Sequence, residues 1–328
     1  MKYPINANLK KIIQQSTCNF VQLFFCFLIV GIFSIMKNYA QTPHSNYGTI
    51  KRHEKFASAF IPARTIDVWL PSGYSEKKKY SVIYMHDGEM LFDSSITWNK
   101  QSWHADRTLF ELKKKGNIKD CIIVGIWNGG KNRHAEFCPQ QPFESLPAAY
   151  IDSLIVNAKR VSGNEVFSKA VYSDNYLKFI VVELKPFIDK TYSTLKSPAN
   201  TFVAGSSMGG LISIYAICEY PNVFGGAACL STHWPVLFSN DNNPFPKLIN
   251  DYLIDKLPKP GKHKIYFDYG DQTLDSLYKI HQVQIDQTMR KKGFTKKTWI
   301  TKEFTGADHS EKSWSRRLSI PFGFLLSN

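Results

Sequence analysis

In the stretch Gly205-Ser206-Ser207-Met208-Gly209, Ser207 has a glycine two residues away on either side. An apolar run rich in β-formers (201–204) precedes it, and an apolar helical pattern (211–220), stopped by Pro221, follows. A serine on such a strand-to-helix turn sits at the carboxyl edge of a sheet in a strained backbone conformation, and small neighbours let strand and helix approach closely. The chemistry this setting allows is nucleophilic attack on an acyl carbonyl, with the backbone N–H of Met208 directed at the developing oxyanion.

A serine hydroxyl needs a base, and the base needs an orienting carboxylate. All nine histidines follow residue 40. His309, in the loop Gly306-Ala307-Asp308-His309-Ser310 after the last expected strand, fits the chain order serine, acid, histidine. His86, at a strand end, and His233, just after the strand that follows the serine turn, are its rivals. For the acid, Asp268, Asp271 and Asp275 lie at or beyond the end of an expected strand (264–268), and spacing alone does not choose among them. A second oxyanion donor is expected from the turn His86-Asp87-Gly88-Glu89, where Gly88 permits a sharp bend and the N–H of Glu89 faces inward.

These residues need a scaffold that brings distant segments to one edge. Apolar strand-like runs occur at 66–70, 80–85, 121–127, 202–204, 224–230, 264–268 and 297–302. Helical patterns fall between them, near 105–115, 176–192, 211–220 and 276–292, with another partly helical segment at 313–326. Such alternation predicts an α/β fold with a mainly parallel sheet covered on both faces. Residues 140–174 break the rhythm and read as a loop or lid insertion within one catalytic domain, 41–328.

Bulk properties exclude other classes. The chain of 328 residues, 43% hydrophobic, is long enough to bury a large core, and its formal charge of +14 is spread over short clusters such as Lys77-Lys78-Lys79. Neither a recognition helix nor a zinc spacing points to nucleic acid, and no metal or organic cofactor is implied. Residues 1–40 contain four lysines, no acidic residue, and a 17-residue apolar run (20–36) before Ala40. That is the pattern of a signal peptide, with an N-terminal anchor as the competing reading; both put the domain outside the cytoplasm, periplasmic or secreted. Four cysteines then remain, of which Cys218 and Cys229 sit in apolar segments and read as buried thiols.

Five stretches resemble the "Putative esterase" family of α/β-hydrolases, which includes enterochelin and feruloyl esterases and S-formylglutathione hydrolase. They are VIYMHDGEMLFD (82–93), IIVGIWNGGKNRHAEFCP (122–139), the serine turn and its flanks (201–231), IYFDYGDQTLDSLY (265–278) and FTGADHSEKSW (304–314). The resemblance implies an α/β-hydrolase fold, Ser207 as nucleophile, His309 as base, and the amides of Glu89 and Met208 as oxyanion hole. It favours Asp275, followed by Ser276-Leu277, as the acid, with Asp271 as runner-up. Arg133 and Glu136 fall in the family's Arg-x-x-Glu loop, as pocket or bracing residues. Trp98, Trp103, Trp127 and Trp234 lie near expected strand ends, and Trp103 and Trp234 are expected to contact substrate beside Arg133. The function implied is an exported serine carboxylic-ester hydrolase acting on acetyl or feruloyl groups of polysaccharide, or on siderophore esters. An acyltransferase on the same triad and a non-catalytic binding protein on this scaffold are the alternatives.

Overall fold

The computed structural model of the protein describes residues 41–116, 118–159, 163, 165–167 and 170–327. The expected signal segment, 1–40, lies outside the described residues. Eight strands form one sheet: β1 (Gly48–Phe56), β2 (Arg64–Pro71), β3 (Ser81–His86), β4 (Cys121–Ile126), β5 (Thr201–Ser206), β6 (Gly226–Leu230), β7 (Lys264–Gly270) and β8 (Trp299–Phe304). Their spatial order is β1-β2-β4-β3-β5-β6-β7-β8. The first two pairings are antiparallel, and β4 through β8 run parallel. Residues Pro43–Asn328 make one compact unit.

Period-two alternation sorts the buried side chains to two faces. Val82 and Tyr84 of β3 face one core with Ile122, Val124, Val203, Ala227 and Phe267, while Ile83 and Met85 face the other with Ile123, Phe202, Ala204 and Tyr266. The first core is covered by the helices Met208–Glu219, Phe245–Lys256 and Lys279–Lys291, the second by Ala105–Lys114 and Ser319–Leu326. Burial on both faces explains why the central strands are continuously apolar.

Several elements escape the sequence reading. β1 (GTIKRHEKF) is charged and has no fully buried residue, as suits an edge strand that must not recruit another chain. The helix Phe245–Lys256 buries Phe245, Ile249 and Leu253, an i, i+4, i+8 spacing that was there to be read. The expected single helix over 176–192 is also more complex. The helix Ser173–Lys178 passes through a π-helical stretch, Phe179–Leu184, before continuing as Lys185–Thr191. Pro186, which has no N–H to donate, stands at the start of the last segment.

The break at 140–174 contains the helices Gln140–Glu144 and Ala148–Asn157. Phe143 anchors it, with ring centroids 6.0 Å from Phe245 and 5.3 Å from Phe167. Cys121, Cys138, Cys218 and Cys229 are all buried free thiols. Among the described residues, no helix is long and apolar enough to cross a membrane.

Candidate active site

β5 ends at Ser206, and the helix Met208–Glu219 begins two residues later, so Ser207 alone makes the turn, at φ 58° and ψ −124°. A non-glycine residue there is strained and must be over-determined by its surroundings. Three contacts do this. The Ser207 N–H donates to the Leu230 carbonyl of β6 at 3.0 Å, and the Ser207 carbonyl accepts from His233 at 3.1 Å and from Leu211 at 3.1 Å. The flanking glycines are required by proximity. A Cβ on Gly205 would lie 2.7 Å from the carbonyl carbon of Gly209 and 2.9 Å from its Cα. Gly205→Ala is therefore expected to destabilise the fold by about 3 kcal/mol through overpacking, read as a lowered urea midpoint with an unchanged slope. The N–H of Met208 is among the first of the helix, which have no intrahelical acceptor and carry the positive end of the dipole.

Beyond β7 the chain makes a short 3-10 turn, Thr273–Leu277, that buries Asp275 completely. Asp275 Oδ1 lies 2.5 Å from His309 Nδ1, and Oδ2 accepts from Ser231 Oγ at 2.6 Å and from the Gly270 N–H at 2.6 Å. With Nδ1 engaged by the carboxylate, Nε2 is the nitrogen of His309 left for other work. The loop carrying His309 is laced to the loop carrying Asp275. The Ala307 carbonyl accepts from the N–H groups of Asp271 and Gln272, Asp271 Oδ1 accepts from the Gly306 N–H at 2.7 Å, and Thr273 Oγ1 accepts from the His309 N–H at 3.0 Å. Gly270 allows the close approach, since a Cβ there would lie 2.1 Å from the Ala307 oxygen.

The rivals are placed otherwise. Asp271 is partly exposed, and its carboxylate accepts from the Gly306 N–H and from Gln272 rather than meeting the imidazole. Asp268 is fully buried under Arg317 and Tyr266, with Arg317 Nη2 2.9 Å from its Oδ1. His86 is fully buried against the Tyr176 hydroxyl at 2.8 Å, and burial pushes its pKa down to about 3. His233 borders the same cleft as Ser207, but its Nδ1 meets the Tyr278 hydroxyl at 2.8 Å, and burial drives its pKa well below the ordinary value.

Ser207, Met208, His309 and Glu89 open onto one cleft of about 550 Å³, which Trp98, Trp103, Asn128, Arg133, His233 and Trp314 also line. In the turn after β3, the left-handed conformation falls on Asp87 (φ 56°), not on Gly88. Gly88 is needed because a Cβ would lie 2.5 Å from the Gly125 carbonyl carbon of β4. Arg133 grips Asp87 with two bonds, Nε to Oδ1 at 2.6 Å and Nη2 to Oδ2 at 2.7 Å, and Asn128 Nδ2 donates to the same Oδ1 at 2.8 Å. The guanidinium holds the Asp87 carboxyl below its usual range against the opposing effect of burial, the largest single influence on it.

Among the tryptophans, Trp103 borders the cleft, tilted against Trp314 at 5.4 Å, and Trp98 stands 83% exposed at its rim. Trp234, expected to contact substrate, does not line it. Its indole lies in the core, where Nε1 donates to Gln282 at 3.0 Å and the ring meets Phe267 at 5.5 Å. Trp127 is likewise engaged elsewhere, donating to Asp67 at 2.8 Å. Glu136 pairs not with Arg133 but with Arg64, in two bonds of 2.8 and 3.0 Å. No described residue of 140–174 lines the cleft. Two neighbours of the site had no distinct sequence signal: Ser231, which braces Asp275, and Tyr278, whose hydroxyl meets His233 Nδ1. Among the described residues, no group of three or more His, Cys, Asp or Glu could hold a metal ion.

A parallel-cored sheet with a strained serine turn at its carboxyl edge and a carboxylate-bound histidine in the same cleft defines an α/β-hydrolase. The profile described as "Putative esterase" matches residues 58–324, and the chain belongs to that family; it is a carboxylic ester hydrolase. It is 24% identical over 262 residues to the uncharacterized protein YbbA of Bacillus subtilis (strain 168), covering 77% of this chain and 89% of that protein. Its fold is similar to a ferulic acid esterase from Anaeromyces mucronatus solved with ferulic acid, with a TM-score of 0.57, 20% identity, and coverage of 88% of this chain and 96% of the other. It is similar also to the enterochelin esterase of Shigella flexneri, with a TM-score of 0.59, 14% identity, and coverage of 87% and 60%.

Proposed function

We propose that the protein is an exported serine esterase that hydrolyses acyl esters in two steps, with Ser207 as nucleophile, His309 as base and Asp275 as the acid that orients it. The observation that carries this reading is the strained Ser207 turn sharing a cleft with a histidine whose Nδ1 lies 2.5 Å from a buried carboxylate. Ser207 Oγ attacks the ester carbonyl while His309 Nε2 takes its proton, and the amides of Met208 and Glu89 receive the oxyanion. His309 then protonates the departing alcohol, and water releases the acid by the same route in reverse. Trp98, Trp103 and Trp314, with the amides of Asn99, Gln101 and Asn128, give the cleft a lining suited to an aromatic acyl group or a sugar. This supports an acetylated or feruloylated polysaccharide, or a siderophore ester, as substrate. Export rests on the segment 1–40.

The test is hydrolysis of p-nitrophenyl acetate, p-nitrophenyl butyrate and methyl ferulate by the wild type and Ser207→Ala. The variant is expected to lose about 10⁴-fold or more in kcat, and to escape labelling by a fluorophosphonate that marks the wild type. Equal rates in the two proteins would remove Ser207 from the reaction.

A further inference from the structure

A second cavity, of about 310 Å³, adjoins the catalytic cleft, and its charged lining is all of one sign. Lys100, His104 and Arg107 reach it from the loop after β3 and the helix Ala105–Lys114, Lys312 and Arg316 from the helix Glu311–Arg317. Among the described residues, no acidic side chain lines it. Exposed lysines elsewhere meet a carboxylate, as Lys113 does Asp120, Lys247 does Asp251 and Lys279 does Glu303. Among the described residues, Lys100, Arg107, Lys312 and Arg316 form no such pair, and Lys100 Nζ donates only to the Ser95 carbonyl, at 2.7 Å. Nearby acids are engaged with other groups: Asp93 with the Ser95 hydroxyl, Asp106 with that of Ser45, Asp308 with those of Ser310 and Ser313, and Glu311 with Asn99. A concave surface of unpaired like charges concentrates the field and favours an anion.

The two cavities share a wall. Gln101 lines both, and the loop that supplies Lys100 and Gln101 also carries Trp98, exposed on the catalytic rim. This loop is fastened across to the helix Glu311–Arg317. Asn99 Nδ2 donates to Glu311 Oε2 at 2.8 Å, and Gln101 Oε1 accepts from the Lys312 N–H at 3.1 Å. Glu311 follows two residues after His309, so the basic cavity and the imidazole are held by one continuous segment.

We propose that the basic cavity is a subsite for an acidic sugar of the polysaccharide whose acyl ester enters the catalytic cleft, its carboxylate received by Arg107, Lys312 and Arg316. The inference rests on the esterase reading above and narrows its substrate to an acylated polysaccharide that carries uronate groups. Guanidinium groups match a carboxylate with paired donors, and the ammonium of Lys312 adds a point charge. The hydroxyls of Ser94, Ser102 and Ser315 line the same cavity and suit the hydroxyls of a sugar. A free inorganic anion would be served by the cations alone. An oligosaccharide also uses the shared wall, with the exposed indole of Trp98 offering a flat apolar face to a sugar ring on the way from one cavity to the other.

The experiment compares acetate release from acetylated oligogalacturonides, acetylated xylo-oligosaccharides of the same length and p-nitrophenyl acetate. The wild type is expected to prefer the acidic oligosaccharide at low salt, and to lose that preference in about 0.5 M sodium chloride. Arg107→Gln/Arg316→Gln should raise KM for the acidic substrate roughly tenfold with kcat unchanged. Its kinetics on the two neutral substrates should stay within about twofold of wild type, which also shows that it folds. Arg107→Lys/Arg316→Lys, which keeps the charge, should retain most of the preference. Equal kcat/KM for the acidic and neutral oligosaccharides in the wild type, or an equal loss on both in the glutamine variant, overturns the subsite and leaves the esterase reading intact. Inhibition by inorganic sulfate as strong as that by unacetylated oligogalacturonide overturns the assignment to a sugar. Failure of the wild type to hydrolyse any of the three esters overturns the esterase reading and the subsite with it.

Discussion

Asp275→Asn is expected to lower kcat about 10⁴-fold with little change in KM. Asparagine is nearly isosteric, so the site should keep its shape. What changes is the partner of His309 Nδ1, 2.5 Å away. A carboxylate accepts the Nδ1 proton and leaves Nε2 unprotonated to act as base, whereas an amide can donate to Nδ1 and favour the opposite tautomer. The carboxylate also stabilises the imidazolium formed during attack. Asp271→Asn is the control: this side chain is partly exposed and bonds to Gly306 and Gln272, not to His309, so kcat should stay within about threefold. Steady-state kinetics on one p-nitrophenyl ester suffice. A large loss at Asp271 with a small one at Asp275 would reverse the assignment of the acid.

Arg317→Leu should be the most damaging single change to stability. The side chain is 3% exposed, and its Nη2 donates to Ser231 Oγ at 2.8 Å and to Asp268 Oδ1 at 2.9 Å, with Asp275 Oδ2 at 3.9 Å. Leucine would leave two fully buried carboxylates without their cation. Removing one partner of such a group costs about 3–5 kcal/mol, here a fall in Tm of roughly 10 °C. Burial already holds the Asp268 carboxyl above its usual range in spite of Arg317. Adding Asp268→Asn to Arg317→Leu should recover part of the loss, because one of the stranded charges is gone. Thermal unfolding of the three variants checks this. An equal Tm for wild type and Arg317→Leu would mean that the carboxylates find another counter-charge.

How far the sequence could be read depended on how local each constraint is. The serine turn was legible because its requirements are contiguous in sequence: a strand, a serine between two close glycines, and a helix. The central strands were legible because both of their faces are buried, and the edge strand β1 was not, because its charges answer to solvent. Chain order favoured His309 over its rivals His86 and His233. The acid could not, because Asp268, Asp271 and Asp275 all follow from one strand end, and only the folding of the 273–277 turn decides which is buried against the imidazole. Trp103 and Trp234 looked alike in sequence; the direction in which each side chain leaves the backbone sends one to the cleft and the other to the core. Glu136 lay three residues from Arg133 yet found its partner 72 positions away, as long-range pairings do. Only its amide was read at Glu89, because the fate of its carboxyl depends on Asn128, 39 residues later.

The lacing of the two loops that carry Asp275 and His309 has a consequence for how this enzyme could change over generations. The loops of Asp275 and His309 are fastened to each other through Ala307, Gly306 and Thr273, while Ser207 is anchored separately in β5 and β6. The region from β7 to His309 therefore behaves as a heritable module. A drift in one loop carries the other with it, and the hydrogen bond within the pair survives. Selection for a new ester can then shift the pair as a block relative to the serine, or rebuild the tryptophan rim, without having to reinvent the partnership between the two residues.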